Sequence, residues 1–151
     1  MQIHGSCASR DGDGVLLIGP SGAGKSDLVL RLLARGFDLV ADDRVDIADG
    51  VARPVPPLEG LLEVRGIGIV NLPFVAAAQL ALVVELDPAE EPALPVELGA
   101  SPRLPWPERH GLLDLPTVRL DASAASAPER VVLALDCALG RVAQVAGAFA
   151  P

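Results

Sequence analysis

The chain's single lysine, Lys25, lies in the run Gly19-Pro20-Ser21-Gly22-Ala23-Gly24-Lys25-Ser26, while eleven arginines carry the rest of its positive charge. The run fits the phosphate-binding pattern G-x-x-x-x-G-K-[ST] position by position. Its glycines let the backbone curl so that successive N–H groups point inward, and a helix starting just after it adds a positive end. A compact ammonium on a flexible stem suits phosphate oxygens in a way a planar guanidinium does not. Lys25 is therefore expected to reach the β- and γ-phosphates of a nucleotide, and the Ser26 hydroxyl to ligate magnesium.

Asp42 and Asp43 end an apolar run one helix further on. In an open α/β sheet that position lies in the crevice at the carboxyl ends of the strands, where ligands bind. Neighbouring residues of an extended strand point to opposite sides, so one acid can face the phosphates while the other turns away. A carboxylate there can hold magnesium or take the proton of an attacking hydroxyl. Glu63 and Arg65 occupy alternate positions of Leu62-Glu-Val-Arg-Gly-Ile-Gly68 and so share a side; taken alone they read as an exposed charge pair. His4 alone reads as a structural or exposed histidine, and Arg130 as a solvated residue in the first turn of a helix. Nothing around His110 argues for a role.

These groups need elements to position them. Ile3–Ala8 reads as a strand, and Arg10-Asp-Gly-Asp-Gly14 as a turn of the Asp-Gly kind that closes hairpins. Val15–Ile18 reads as a buried strand running into the glycine loop. Ser26–Arg35 reads as a helix with Leu28, Leu32 and Leu33 near one face and Gly36 as its cap. Phe37–Ala41 is the next strand and completes a βαβ unit. Arg44–Ala48, an Asp49-Gly50 turn and Val51–Val55 form a hairpin ended by prolines. Residues 61–70 read as a loop and a short strand, and Gln79–Leu86 as a strand. Half of the chain's 14 prolines fall within residues 87–116, which read as irregular loop, with a short strand over Thr117–Leu120. Ser126-Ala-Pro-Glu129 has the form of a capping box opening a helix to about Ala146, with Val132, Leu135, Leu139 and Val142 inward. The predicted fold is α/β: a P-loop-containing domain with a mixed sheet, β-hairpins and a C-terminal helix.

At 151 residues the length suits one domain, residues 1–151, and half the residues are apolar with only 3% aromatic, so the core is aliphatic. A net charge of −8 argues against nucleic acid as a partner. No run reaches the ~20 apolar residues of a membrane span, and no signal peptide is evident, which makes the expected location cytoplasmic. Cys7 and Cys137 are expected to be free structural thiols.

Together these residues resemble the catalytic domain of the bacterial HPr kinase/phosphorylase family. Its pattern is a His-Gly near the start, a loop G-x-S-G-x-G-K-S-[E/D], then Ala-Asp-Asp-Arg-Val and Leu-Glu-x-Arg-Gly-x-Gly-Ile. Here those are His4-Gly5, Gly19 to Asp27, Ala41 to Val45, and Leu62 to Ile69, in the same order and at matching separations. The likeness covers residues 1–71 closely and 115–140 loosely. It implies an ATP- and Mg2+-dependent kinase acting on a serine of HPr, the phosphocarrier protein of the sugar phosphotransferase system, and also the reverse phosphorolysis. It further implies that Asp43 is the base, that Lys25 and His4 are active-site residues, and that Ser26 and Glu63 bind magnesium. Arg130 matches a further catalytic arginine, although Glu129 stands where a small residue is expected. The expectation is a short form of the family with kinase activity foremost; a homo-oligomer is left open. Two other readings stay open: a small-molecule P-loop kinase, and a non-catalytic nucleotide-binding module, which would have no need of Asp43 or Glu63.

Overall fold

Short aliphatic runs separated by Asp-Gly turns favour antiparallel hairpins, because residues in the left-handed region at such turns match the twist of the flanking strands. The computed structural model describes residues 1–86 and 104–149. Its strands are β1 (Gln2–His4), β2 (Ser6–Arg10), β3 (Asp13–Ile18), β4 (Asp38–Ala41), β5 (Arg44–Ala48), β6 (Val51–Pro54), β7 (Leu61–Val64), β8 (Gly68–Asn71), β9 (Ala78–Leu86), β10 (Glu108–Arg109) and β11 (Pro116–Leu120). Helix α1 spans Lys25–Leu33 and α2 spans Ala127–Ala138. The main sheet is mixed, in the order β1-β5-β6-β9-β3-β2-β4.

Strand β9 is the long member. It runs parallel to β3 along one side; on the other, Ala78 and Gln79 pair antiparallel with β6 while Val83–Leu86 pair parallel with β11. An extra residue in β9 opposite Gly14/Val15 makes a bulge that shifts which side chains face each side of the sheet. The βαβ unit is present in modified form: β3 and β4 are parallel to one another but flank β2, which is antiparallel to both.

The core has two halves. Leu17, Leu82, Val84 and Leu86 pack under Leu28, Val29 and Leu32 of α1 and Val131 and Leu135 of α2. Cys7, Leu16, Val40, Val45, Leu80 and Val83 form the other half on the opposite face. Arg31 of α1 donates to the carbonyls of Ala122 and Ala124, which ties the helix to the loop before α2.

Several expectations are corrected. Ile3–Ala8 is not one strand: it breaks at Gly5, where a Cβ would come within 2.8 Å of the Leu17 carbonyl oxygen. Residues 61–70 form a two-stranded hairpin, β7–β8, with Leu62 buried beneath it. Residues 87–103 lie outside the described residues, but the rest of the expected loop contains β10, which pairs with β11. Helix α2 stops at Ala138, short of the predicted Ala146, because Gly140 takes a left-handed φ of 74° and the Arg141 N–H turns back to the Asp136 carbonyl. Its inward face is Val131, Ala134 and Leu135; Val132 and Leu139 are only partly buried, and Val142 is exposed. The capping box does not form: the Ser126 side chain caps nothing, and Glu129 is drawn to Arg35, in the turn just after α1, at 2.7 Å.

Both cysteines are free, as expected. Burial pushes the Cys7 thiol up to about 12. A native-state thiol assay at pH 8 should therefore leave Cys7 unlabelled, with reaction only after denaturation; stoichiometric labelling of Cys7 in the folded protein would contradict this. The sign for stability follows. The unfolded thiol ionises above its ordinary value of 9.0 while the folded one stays protonated to about 12, so unfolding free energy falls across that window.

Candidate active site

The loop between β3 and α1 delivers the lysine. Gly24 is the N-cap of α1 with φ 96° and ψ 22°, and a Cβ there would lie 3.1 Å from the Ala122 Cβ. A residue with a side chain would strain the backbone and crowd its neighbour, so glycine is required. Lys25 opens the helix, largely buried, and its ammonium donates to the carbonyls of Gly19 at 2.8 Å and Pro20 at 3.0 Å. Burial holds Lys25 below the ordinary lysine value, and the Asp42 and Asp43 carboxylates pull it part of the way back.

The two aspartates diverge for a reason the sequence hides. Between β4 and β5 the Arg44 N–H donates to the Asp42 carbonyl at 2.8 Å, an i→i+2 turn with Asp43 at its centre and φ 67°. Such a conformation costs a non-glycine residue about 1–3 kcal/mol, and aspartate tolerates it better than most. The expected divergence is present, but the turn produces it rather than strand alternation. Asp42 points inward, 7% exposed, where Oδ1 accepts from the Ser6 hydroxyl at 2.6 Å and from Ser26 at 2.8 Å. Its Oδ2 lies 2.9 Å from the Ser26 hydroxyl and 3.5 Å from the Glu63 N–H. Asp43 points outward and places Oδ1 3.2 Å from His4 Nε2.

The β7–β8 hairpin closes the third side. These elements enclose a cleft of about 470 Å³ that brings together His4, Lys25, Ser26, Asp27, Asp42, Asp43, Glu63 and Arg65. Ser21, Gly22 and Gly24 line it as well; Gly19 and Pro20 hold the lysine, and Ala23 is buried beneath the loop. Arg130 is not brought in: it lines a second cavity, of about 280 Å³, with Trp106 and Leu133. The apolar Leu30 and Val64 line the cleft too, and Ser6 is the polar lining residue that sequence reasoning missed. It reads as one small strand residue among others, and only the fold sets its hydroxyl against Asp42.

Among the described residues, no three or more His, Cys, Asp or Glu side chains cluster as a metal cage. The oxygens of Ser26, Asp42 and Glu63 nevertheless share the cleft. That hard-oxygen set fits magnesium, which takes one or two carboxylates and completes its shell with phosphate and water.

A glycine loop between strand and helix, with an acid-lined crevice at the sheet's carboxyl edge, defines a P-loop-type domain. The family model described as "HPr Serine kinase C-terminal domain" matches residues 1–95. The chain belongs to that family. HPr kinase/phosphorylase 1 of Oceanobacillus iheyensis is 43% identical over 101 residues, covering 59% of this chain and 33% of that protein. HPr kinase/phosphorylase of Clostridium novyi is 49% identical over 76 residues, 48% of this chain and 25% of that one. The chain thus spans a third or less of the length of these relatives. The solved Hpr(Ser) kinase/phosphatase of Coxiella burnetii superposes with a TM-score of 0.69 over 89% of this chain and 87% of its own, at 24% identity, a likeness of fold.

Gly24→Ala should cost about 1–3 kcal/mol of unfolding free energy, since it adds a Cβ at a left-handed position facing Ala122. Urea denaturation measures it, and an unchanged midpoint would count against the loop geometry.

Proposed function

We propose that this chain is an ATP-dependent protein-serine kinase that phosphorylates an HPr-type phosphocarrier protein. The observation that carries the reading is Asp43, turned out of the sheet edge beside His4 into the same cleft as Lys25 and Ser26. A binding module has no use for an exposed carboxylate on a strained turn facing the phosphate loop, whereas a kinase needs one there to receive a hydroxyl proton.

In the proposed reaction the loop N–H groups and the Lys25 ammonium neutralise the triphosphate. When bound, magnesium would be held by Ser26 with Asp42 and Glu63 nearby, and it would supply further charge neutralisation. The substrate serine enters from the open side, and its proton passes to Asp43, which His4 orients. The serine oxygen bonds to the γ-phosphorus as the bond to the β-phosphate oxygen breaks, leaving ADP. In the dephosphorylating direction an oxygen of inorganic phosphate bonds to the phosphoserine phosphorus as that phosphorus's bond to the serine oxygen breaks; protonated Asp43 gives its proton to the serine oxygen, and pyrophosphate leaves. The Ile67 and Ile69 side chains, exposed on the hairpin that carries Glu63 and Arg65, offer an apolar rim against which a protein substrate can rest. Arg130, on the other cavity, has no part in this scheme.

Incubation with ATP, Mg2+ and an HPr-type protein should yield phosphoserine; nucleotide binding without transfer would favour the module. In Asp43→Asn, transfer should fall by a factor on the order of 10² or more with nucleotide affinity nearly kept. Full activity in that variant would remove Asp43 as the base. Lys25→Arg should be severely impaired despite its retained charge, because the rigid fork cannot follow the stem's path to the loop; steady-state rates at wild-type level would argue the reverse.

A further inference from the structure

The kinase reading leaves Ser6 without a task, yet Ser6 has a fully buried side chain and makes the shortest hydrogen bond to Asp42. We propose that Ser6 is a positioning residue: its hydroxyl saturates one oxygen of Asp42 so that the other is presented to the divalent cation accompanying the nucleotide. The identity of the ligand rests on the kinase reading; the geometry does not.

A carboxylate offers about four lone-pair positions. At Asp42 they are unequally filled. Oδ1 takes the Ser6 hydroxyl at 2.6 Å and lies 2.8 Å from the Ser26 hydroxyl. Oδ2 lies 2.9 Å from that same Ser26 hydroxyl and otherwise has only the Glu63 amide at 3.5 Å. Ser26 has one proton to give, so it can serve only one of the two oxygens at a time. With Ser6 on Oδ1, Oδ2 is the under-filled oxygen, on the side shared with Glu63.

Ser6 can do this because its own position is set by backbone. It follows the break at Gly5, where the Gly5 N–H donates to the Asp43 carbonyl, and it pairs with Leu17 across β2–β3. The hydroxyl is thus anchored by the strand that carries it and does not depend on the ligand. Remove it, and the carboxylate is free to turn, with Ser26 as its sole close partner. The Ser26 oxygen is then more tightly engaged and Oδ2 is no longer aimed. Hydrogen bonds to charged, buried groups are among the stronger ones in proteins, so the loss should be felt in cation affinity.

The test compares the full chain with Ser6→Ala, Ser6→Val and Ser6→Thr. Mn2+ serves as a paramagnetic stand-in for magnesium; its binding to the protein–ADP complex is followed by electron paramagnetic resonance. ADP affinity in EDTA and the urea midpoint are measured alongside. Mn2+ binding should weaken about tenfold or more in the Ala and Val variants and stay within about twofold of wild type in Thr. ADP affinity without metal should be unchanged within about twofold throughout. Wild-type Mn2+ affinity in the Val variant would overturn the proposal even if its urea midpoint fell, since Ser6 would then be structural only. Should the Ala variant fail to fold, the Val and Thr variants, similar in volume and differing by the hydroxyl, decide alone. No Mn2+ binding by the wild-type ADP complex would overturn it as well. A wild-type chain that binds Mn2+ and ADP but phosphorylates no HPr-type protein would sink the kinase reading, with the Ser6 comparison still deciding the positioning role.

Discussion

The cleft depends on one backbone hydrogen bond, from the Gly5 N–H to the Asp43 carbonyl at 3.0 Å. Two pairs of strands meet there, β1 with β5 and β2 with β4, and both change course at the same point. On one chain the change needs a residue with no side chain, because Leu17 leaves no room. On the other it needs a residue that tolerates a left-handed turn and still carries a carboxylate. Loss of this crossing would let the strands run straight, and the aspartates would lose their opposed directions.

From that crossing the charges sort themselves. Asp42 is buried but accepts from the Ser6 and Ser26 hydroxyls, which offsets part of the cost of taking a carboxylate out of water. Asp43 remains exposed to solvent beside His4. Lys25 is buried against carbonyls of its own loop and balanced by both acids. A buried anion, a buried cation and an exposed anion within one cleft make a site polarised before any ligand arrives.

The glycine loop and the acid pair were legible because their chemistry demands particular residue types at fixed spacing. The hairpin turns within Arg10–Gly14 and at Asp49-Gly50 were legible for the same reason. What stayed hidden depends on distant parts of the chain. Ile3–Ala8 carries no local sign of its break, since the obstacle at Gly5 is Leu17 in another strand. Glu129 pairs with Arg35 rather than capping its own helix, because the fold brings the turn after α1 beside the start of α2. The apolar pattern past Ala138 promised more helix, but Gly140 ended it. Ser6 could not be singled out at all, for its partner lies across the sheet.

Strand β9 also determines how the molecule comes to exist. It pairs with β3, β6 and β11, and its pairing with β3 joins segments separated by the phosphate loop, α1 and five further strands. The two early hairpins can zip locally, but the sheet cannot be completed until that long loop closes. Loop-closure entropy is then spent before most of the core forms, which favours slow folding over the microsecond regime of local topologies. The phosphate loop hangs from the C-terminal end of β3, so it acquires its support only when β9 docks. The cleft is therefore a late product of folding.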